Sequence, residues 1–279
     1  MVIGKDQSNS EIRNSKFEIR FPGLLLLAMI LAYAVGFSAL SIRLHQAHLT
    51  HTADLGQIDL AVWNTSRGRF VQEVKDDFVS TRLTDHVEPI FAPVSLIFWL
   101  WDDVRALLVL QSFALAIGAL PVFWLARDRF AGYRFKGSKV RRLESSNLKP
   151  SDLKPETVEW LGLLFAFVYL MFPALQAANL TEFHAIPLAV PFILFAFWFA
   201  ERRQWGRFAV ACILLMAVKE EAALLAFMLG LYAIAKSQIA NRKSQIANRK
   251  SPGAGRRSQV AGRRAEVAGR RPQITHYAL

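Results

Sequence analysis

Four separate stretches of the sequence hold acids, histidines and a lysine in combinations that proton transfer, metal binding or phosphate chemistry can use. They are Asp54-Leu-Gly-Gln-Ile-Asp59, Thr84-Asp85-His86-Val-Glu88, Glu182-Phe183-His184 and Val218-Lys219-Glu220-Glu221. A carboxylate at Asp54 or Asp59 would serve as general base toward an incoming hydroxyl, or help to hold a divalent metal. Plainer readings stand beside these. Asp54 can cap a helix whose apolar face is Ile58, Ala61, Val62 and Thr65 and which Gly68 stops, with Asp59 on its solvated face. His86 beside acids could carry a proton or bind a metal, although a histidine at a loop-to-helix junction is more often a hydrogen-bonded structural residue. Glu182 and His184 sit in a short link between two apolar blocks and stay near the ends of both. Lys219 acts as a point charge on a phosphate or pairs with Glu220 and Glu221. His45, His48 and His51, three apart and so about 60° apart around a helix, are read as solvated and without carboxylate ligands.

The elements that must position these groups are membrane spans. Of 279 residues 53% are hydrophobic, and they are bunched in long blocks, which excludes a soluble globular enzyme. The single cysteine, Cys212, lies in the apolar run 210–218 and reads as packing. No P-loop, Rossmann fingerprint, nucleophile elbow or Cys/His cluster occurs, so nucleotide hydrolysis and hydride transfer have no support. The net charge of +12 resembles a nucleic-acid signal until it is divided. Residues 236–279 hold eleven Lys/Arg against Glu266 alone, which is +10 of the total and leaves +2 for the body. The expected partner is therefore the lipid bilayer and not a specific nucleic acid.

The expected fold is an all-α polytopic helical bundle in a membrane, with spans at 22–42, 104–126, 158–178, 185–200, 208–218 and 222–235. A bilayer core of about 30 Å takes about 20 helical residues to cross. The charge-free block 22–42 follows Lys16 and Arg20, which puts segment 1–21 in the cytoplasm. Loop 43–103 carries five Lys/Arg and nine Asp/Glu, whereas 127–157 carries nine against four, so the first is outside and the second inside. Block 88–101, with Pro89, Pro93, Trp99 and Trp101, is short for a span and is expected at the outer interface. Trp124, Trp160, Trp198 and Trp205 fall at the inner boundary. Three ionisable groups at 219–221 would be costly at mid-bilayer, so 208–235 reads as a hairpin with them at its outer tip. On this sidedness Asp54, Asp59, Asp85, His86, Glu88, Glu182, His184, Lys219, Glu220 and Glu221 all reach the outer face.

Segment 236–279 repeats Lys236-Ser-Gln-Ile-Ala-Asn-Arg242 as residues 243–249 and then degenerates. The seven-residue period offers no a/d seam, so a disordered, cytoplasmic, cationic tail is expected. A similar stutter at 9–20 leads us to expect a fragment whose ends are translated repetitive DNA.

The order Asp54-Leu-Gly with Asp59 and Ala61-Val-Trp-Asn64, then Gly68-Arg-Phe70, Asp85-His86, Val109-Leu-Gln111, Pro173-Ala-Leu-Gln176, Asn179, Glu182-Phe-His184 and Val218-Lys-Glu-Glu221 resembles a prokaryotic family of predicted multi-pass membrane proteins. The likeness covers roughly 22–235. That family is distantly similar to the GT-C glycosyltransferases, including the protein mannosyltransferases. The resemblance implies a polyprenyl-phosphate sugar donor, an acidic residue in the first outer loop, and an interfacial helix before the second span. It implies Asp54 in the acidic role with Asp59 second, and Lys219 and His184, with Arg67 or Arg69, facing the phosphate. A non-catalytic truncated protein and a small-solute transporter are the alternatives; no internal repeat of the membrane body favours the transporter.

Overall fold

A computed structural model of the chain describes residues 4–75, 78–135 and 155–250. Two compact units, Met1–Leu229 and Gly230–Leu279, divide it. The first begins with α1 (Gly4–Gln46), whose portion Phe21–Gln46 is long and apolar enough to cross a bilayer. A π-helical turn, Thr52–Gly56, runs into α2 (Gln57–Ser66). An antiparallel hairpin follows, β1 (Gln72–Lys75) with β2 (Phe78–Thr81), Gln72 opposite Thr81. Apart from this short hairpin the described residues are mostly helical, in keeping with the all-α expectation. Then come α3 (Phe91–Val94), α4 (Arg105–Ile117), α5 (Ala119–Phe135), α6 (Pro155–Leu170), α7 (Pro173–Thr181), α8 (Ala189–Glu201), α9 (Trp205–Met216) and α10 (Ala222–Lys250).

Where six spans were expected, three helical stretches among the described residues have the length and composition to cross: Phe21–Gln46, Arg105–Ala131 and Ala222–Ile239. A fourth forms if α6 and α7, bent by 44°, count as one. The bend has a local cause, because Pro173 forces Phe172 into an extended conformation (ψ 119°). Ile186–Glu201 and Trp205–Met216 are apolar but shorter. Block 88–101 holds only α3 and the 3-10 turn Ser95–Trp99. The chain breaks between α9 and α10 where Lys219, Glu220 and Glu221 lie.

The expected disorder from residue 236 is corrected in its first part, since α10 continues through Lys250. Ala, Gln, Lys and Arg are good helix formers, and adding residues to a helix already nucleated is far easier than starting one. The rest of the repeats, 251–279, and the middle of the basic loop, 136–154, lie outside the described residues.

Within the first unit α1 packs on α4, α5 on α6 and α8 on α9. Lipid tails are as apolar as leucine, so helices in a bilayer associate by close approach of small residues. Ala34, Ala116, Ala119 and Ala166 are fully buried. A Cβ at Gly118 would strike the Tyr169 hydroxyl, which donates to the Leu115 carbonyl at 2.8 Å. Leu24, Leu27, Leu31 and Val35 of α1 and Leu164 and Val168 of α6 remain exposed, as helix faces that meet lipid do. The segment between α1 and α4 is held by a separate core that includes Ile58, Val62, Phe91, Phe183, Leu215 and Val218.

Candidate functional site

Gln111 on α4, fully buried, organises the end of the helices that carries residues 47–104. Its Nε2 donates to the carbonyls of Ala178 (3.2 Å) and Glu182 (2.9 Å), and its Oε1 accepts from the His184 N–H (3.0 Å). Ser112 Oγ donates to Asn179 Oδ1 at 3.1 Å, and Ser41 Oγ to the Asn179 carbonyl at 3.1 Å. Side chains from α1 and α4 thus satisfy the carbonyls that the end of α7 leaves open. Held this way, Glu182 adopts φ 154° and ψ −179°. That region is essentially glycine's alone, and another residue in it costs on the order of 1–3 kcal/mol.

The Glu182 side chain, 1% exposed, faces His51. Its Oε2 accepts the His51 N–H at 2.8 Å, and its Oε1 lies 3.4 Å from Nδ1. Asp54 joins them from the π turn: one ligand-type atom from each of His51, Asp54 and Glu182 lies within 4.8 Å of the others. Two sequence expectations change here. Asp54 is no helix cap, since Gly56 occupies the N-cap of α2 and no side chain bonds there. His51 is exposed, as expected of a solvated residue, yet it is bonded to the Glu182 carboxylate and lies near that of Asp54.

Along α2 the expected apolar face is buried at Ile58, Ala61 and Val62, and Gly68 (φ 81°) follows the helix end. Asp59 is not simply solvated. Its Oδ1 is buried without a hydrogen-bond partner among the described residues. Loss of solvent, then the neighbouring charges of Asp103 and Asp102, push its carboxyl from 3.8 up to about 6. Asp103 is itself held below the ordinary range, mainly by two hydrogen bonds from the Arg105 guanidinium (2.8 and 2.6 Å). Asp59 and Trp63 are four apart and so share one face of α2, and Arg67 follows directly at the helix end. The guanidinium carbons of Arg67 and Arg69 lie 5.5 and 5.3 Å from the Trp63 ring centre. Arg67 also pairs with Asp102 at 2.7 Å and Arg69 with Asn64 at 2.8 Å. Trp99 Nε1 donates to the Ser66 carbonyl at 3.0 Å, which ties block 88–101 to the end of α2.

The remaining expected site residues sit in contacts of their own. Glu88 is buried against Arg82 at 2.5 Å, and Glu73 lies 3.8 Å from the same guanidinium. His86 Nδ1 is 3.2 Å from Glu220 Oε1, and the other Glu220 oxygen accepts the Val87 N–H at 3.0 Å. Glu220 is held below the usual carboxylate range by its own backbone N–H, with His86 and Val87 adding to this against a smaller loss of solvent. Lys219 pairs with Glu221 at 3.9 Å, the second of its two sequence readings. The Asp85 N–H closes the turn onto the Arg82 carbonyl, and His184 contributes its N–H to Gln111. Sequence reasoning missed the roles of Gln111, Ser112, Asn179 and His51. The signal for the first two was two adjacent polar side chains inside the apolar block 104–126.

The class this arrangement defines is a helical membrane protein with polar side chains gathered at one end of its apolar helices. The chain belongs to the family described as Predicted membrane protein (DUF2079), whose model matches residues 45–257. No curated protein and no solved structure matches it.

Proposed function

We propose that this protein is a GT-C-like transferase that moves a sugar from a polyprenyl-phosphate donor to a hydroxyl acceptor at the outer face of a prokaryotic cell membrane. The observation that carries this reading is the α2 face, with Asp59 at one end and Arg67 and Arg69 over Trp63 at the other. A carboxyl near 6 is matched to general-base work at neutral pH. The acceptor oxygen attacks the sugar's anomeric carbon and gives its proton to Asp59, while the bond from that carbon to the phosphate oxygen breaks. The leaving polyprenyl phosphate carries its charge toward Arg67 and Arg69, whose planar forks suit phosphate. Trp63 and the exposed Trp99 suit the boundary where a lipid-linked headgroup meets water. The sequence resemblance favoured Asp54 for the acidic role with Asp59 second; the burial of Asp59 and its raised carboxyl are what support Asp59 as the base in this reading.

The test is transfer of labelled sugar from a panel of polyprenyl-phosphate sugars, with the full chain in nanodiscs. Asp59→Asn is expected to lower turnover at least 100-fold while leaving insertion unchanged, and Arg69→Gln to raise the donor KM. Wild-type turnover in Asp59→Asn sinks the base assignment, and no transfer by the wild type from any donor sinks the reading.

A further inference from the structure

We infer that His51, Asp54 and Glu182 bind a divalent cation of the Mn2+ or Zn2+ class, a site of its own that does not depend on the transfer chemistry above. Three observations meet there. First, Glu182 is a buried carboxylate whose ion-pair partner among the described residues is His51, with no Lys or Arg beside it. A carboxylate removed from water needs a positive partner. Second, the Asp54 carboxylate approaches the same place, with no side-chain partner among the described residues. Two carboxylates this close repel each other unless positive charge lies between them. Third, the Glu182 main chain is fixed from behind by the Gln111 clamp, which sets where its carboxylate can reach, and one carboxylate oxygen is oriented by the His51 N–H.

One imidazole nitrogen and two carboxylate oxygens are a donor set for Mn2+ or Zn2+. Adjacent ligands about 2.1 Å from an ion lie about 3.0–3.4 Å apart. The His51 Nδ1 to Glu182 Oε1 separation of 3.4 Å already meets this. The widest spacing in the group, within 4.8 Å, must close by up to about 1.4–1.8 Å to reach it. His51 and Asp54 are exposed and belong to one short turn, so they can move inward to Glu182. Their exposure is also the route by which an ion enters.

The experiment uses the full chain in nanodiscs, stripped with EDTA and titrated with Mn2+, the free ion being counted by its EPR signal. One Mn2+ per chain with micromolar Kd is expected. Asp54→Asn, at an exposed position where folding is not at stake, should weaken binding at least tenfold, and Glu182→Gln should do the same. His51→Ala should remove the ability of Zn2+ to displace Mn2+ at equal concentration. Glu220→Gln is the control and should bind like the wild type. Binding only in the millimolar range, or binding undiminished in both Asp54→Asn and Glu182→Gln, overturns the site, because the ions would then sit on scattered surface carboxylates. Either result leaves sugar transfer to be decided by its own assay.

Discussion

The two ends of the first unit's helices treat charge in opposite ways. At the end bearing residues 47–104, Gln111, Asn179, Glu73, Glu88 and Glu182 are buried and lie within polar contacts. At the other end Arg202 grips Asp128 at 2.8 and 2.9 Å and Arg127 reaches Glu159 at 3.9 Å, all on the surface. Aromatic contacts, Trp124 with Trp198 at 4.5 Å and Trp205 with Phe208 at 6.3 Å, complete that end. Exposed pairs contribute about 0–1 kcal/mol, whereas an unpaired buried group costs its full desolvation. One end is therefore anchored loosely, while the other holds a strained backbone that only an over-determined surrounding can keep.

The largest expected effect tests that contrast directly. Gln111→Leu leaves the Glu182 and Ala178 carbonyls and the His184 N–H without their partner. At about 1–3 kcal/mol for each unmade bond, the loss should reach roughly 5 kcal/mol. Arg202→Ala at the opposite end should cost under about 1 kcal/mol. Denaturant unfolding in detergent compares the two. If they prove equal, the clamp is ordinary packing and the contrast fails.

A smaller effect is expected where burial and charge combine without a full set of hydrogen bonds. Arg82 has two acidic neighbours, yet neither Glu73 oxygen has a hydrogen-bond partner among the described residues. Arg82→Met strands two buried carboxylates and should destabilise by about 3–4 kcal/mol. Glu73→Met has the opposite sign, because it removes the surplus charge and keeps the Arg82–Glu88 pair. It should be neutral or stabilising by about 1 kcal/mol. A clear loss of stability in Glu73→Met would show that the second acid is needed.

How much of this could be read in advance depended on the kind of contact. The charge-free block 22–42, the stop at Gly68 and the break at 219–221 follow from local chemistry, and they appear where residue types put them. The face of Ile58, Ala61 and Val62 follows from helical periodicity. The pairing of His51 with Glu182 spans 131 residues and depends on how α1 and α4 are registered on α7 by Ser41, Ser112 and Asn179, which no spacing within any one segment encodes. Asp59 lay on the polar side of its own helix, but two of the charges that raise its carboxyl, Asp103 and Asp102, are over forty residues away. The continuation of α10 into the repeats was missed because composition was weighed without the apolar helix that precedes it.

The smallest expected effect concerns Asp59, which stands between the two regimes, half-buried and without a counter-ion among the described residues. Its folded carboxyl near 6 lies above the ordinary 3.8, so between these values the folded chain binds more protons than the unfolded one. Stability from this group is therefore full below about pH 4 and is lost as pH rises through 6. Solvent screening keeps the change below that of a whole proton. Other carboxylates titrate in the same range, so the informative quantity is the difference between wild type and Asp59→Asn measured from pH 4 to 7. That difference should favour the variant increasingly up to about pH 6 and then level off. A flat difference would place Asp59 with the exposed charges of the opposite end, and would remove the poised base on which the transfer reading depends.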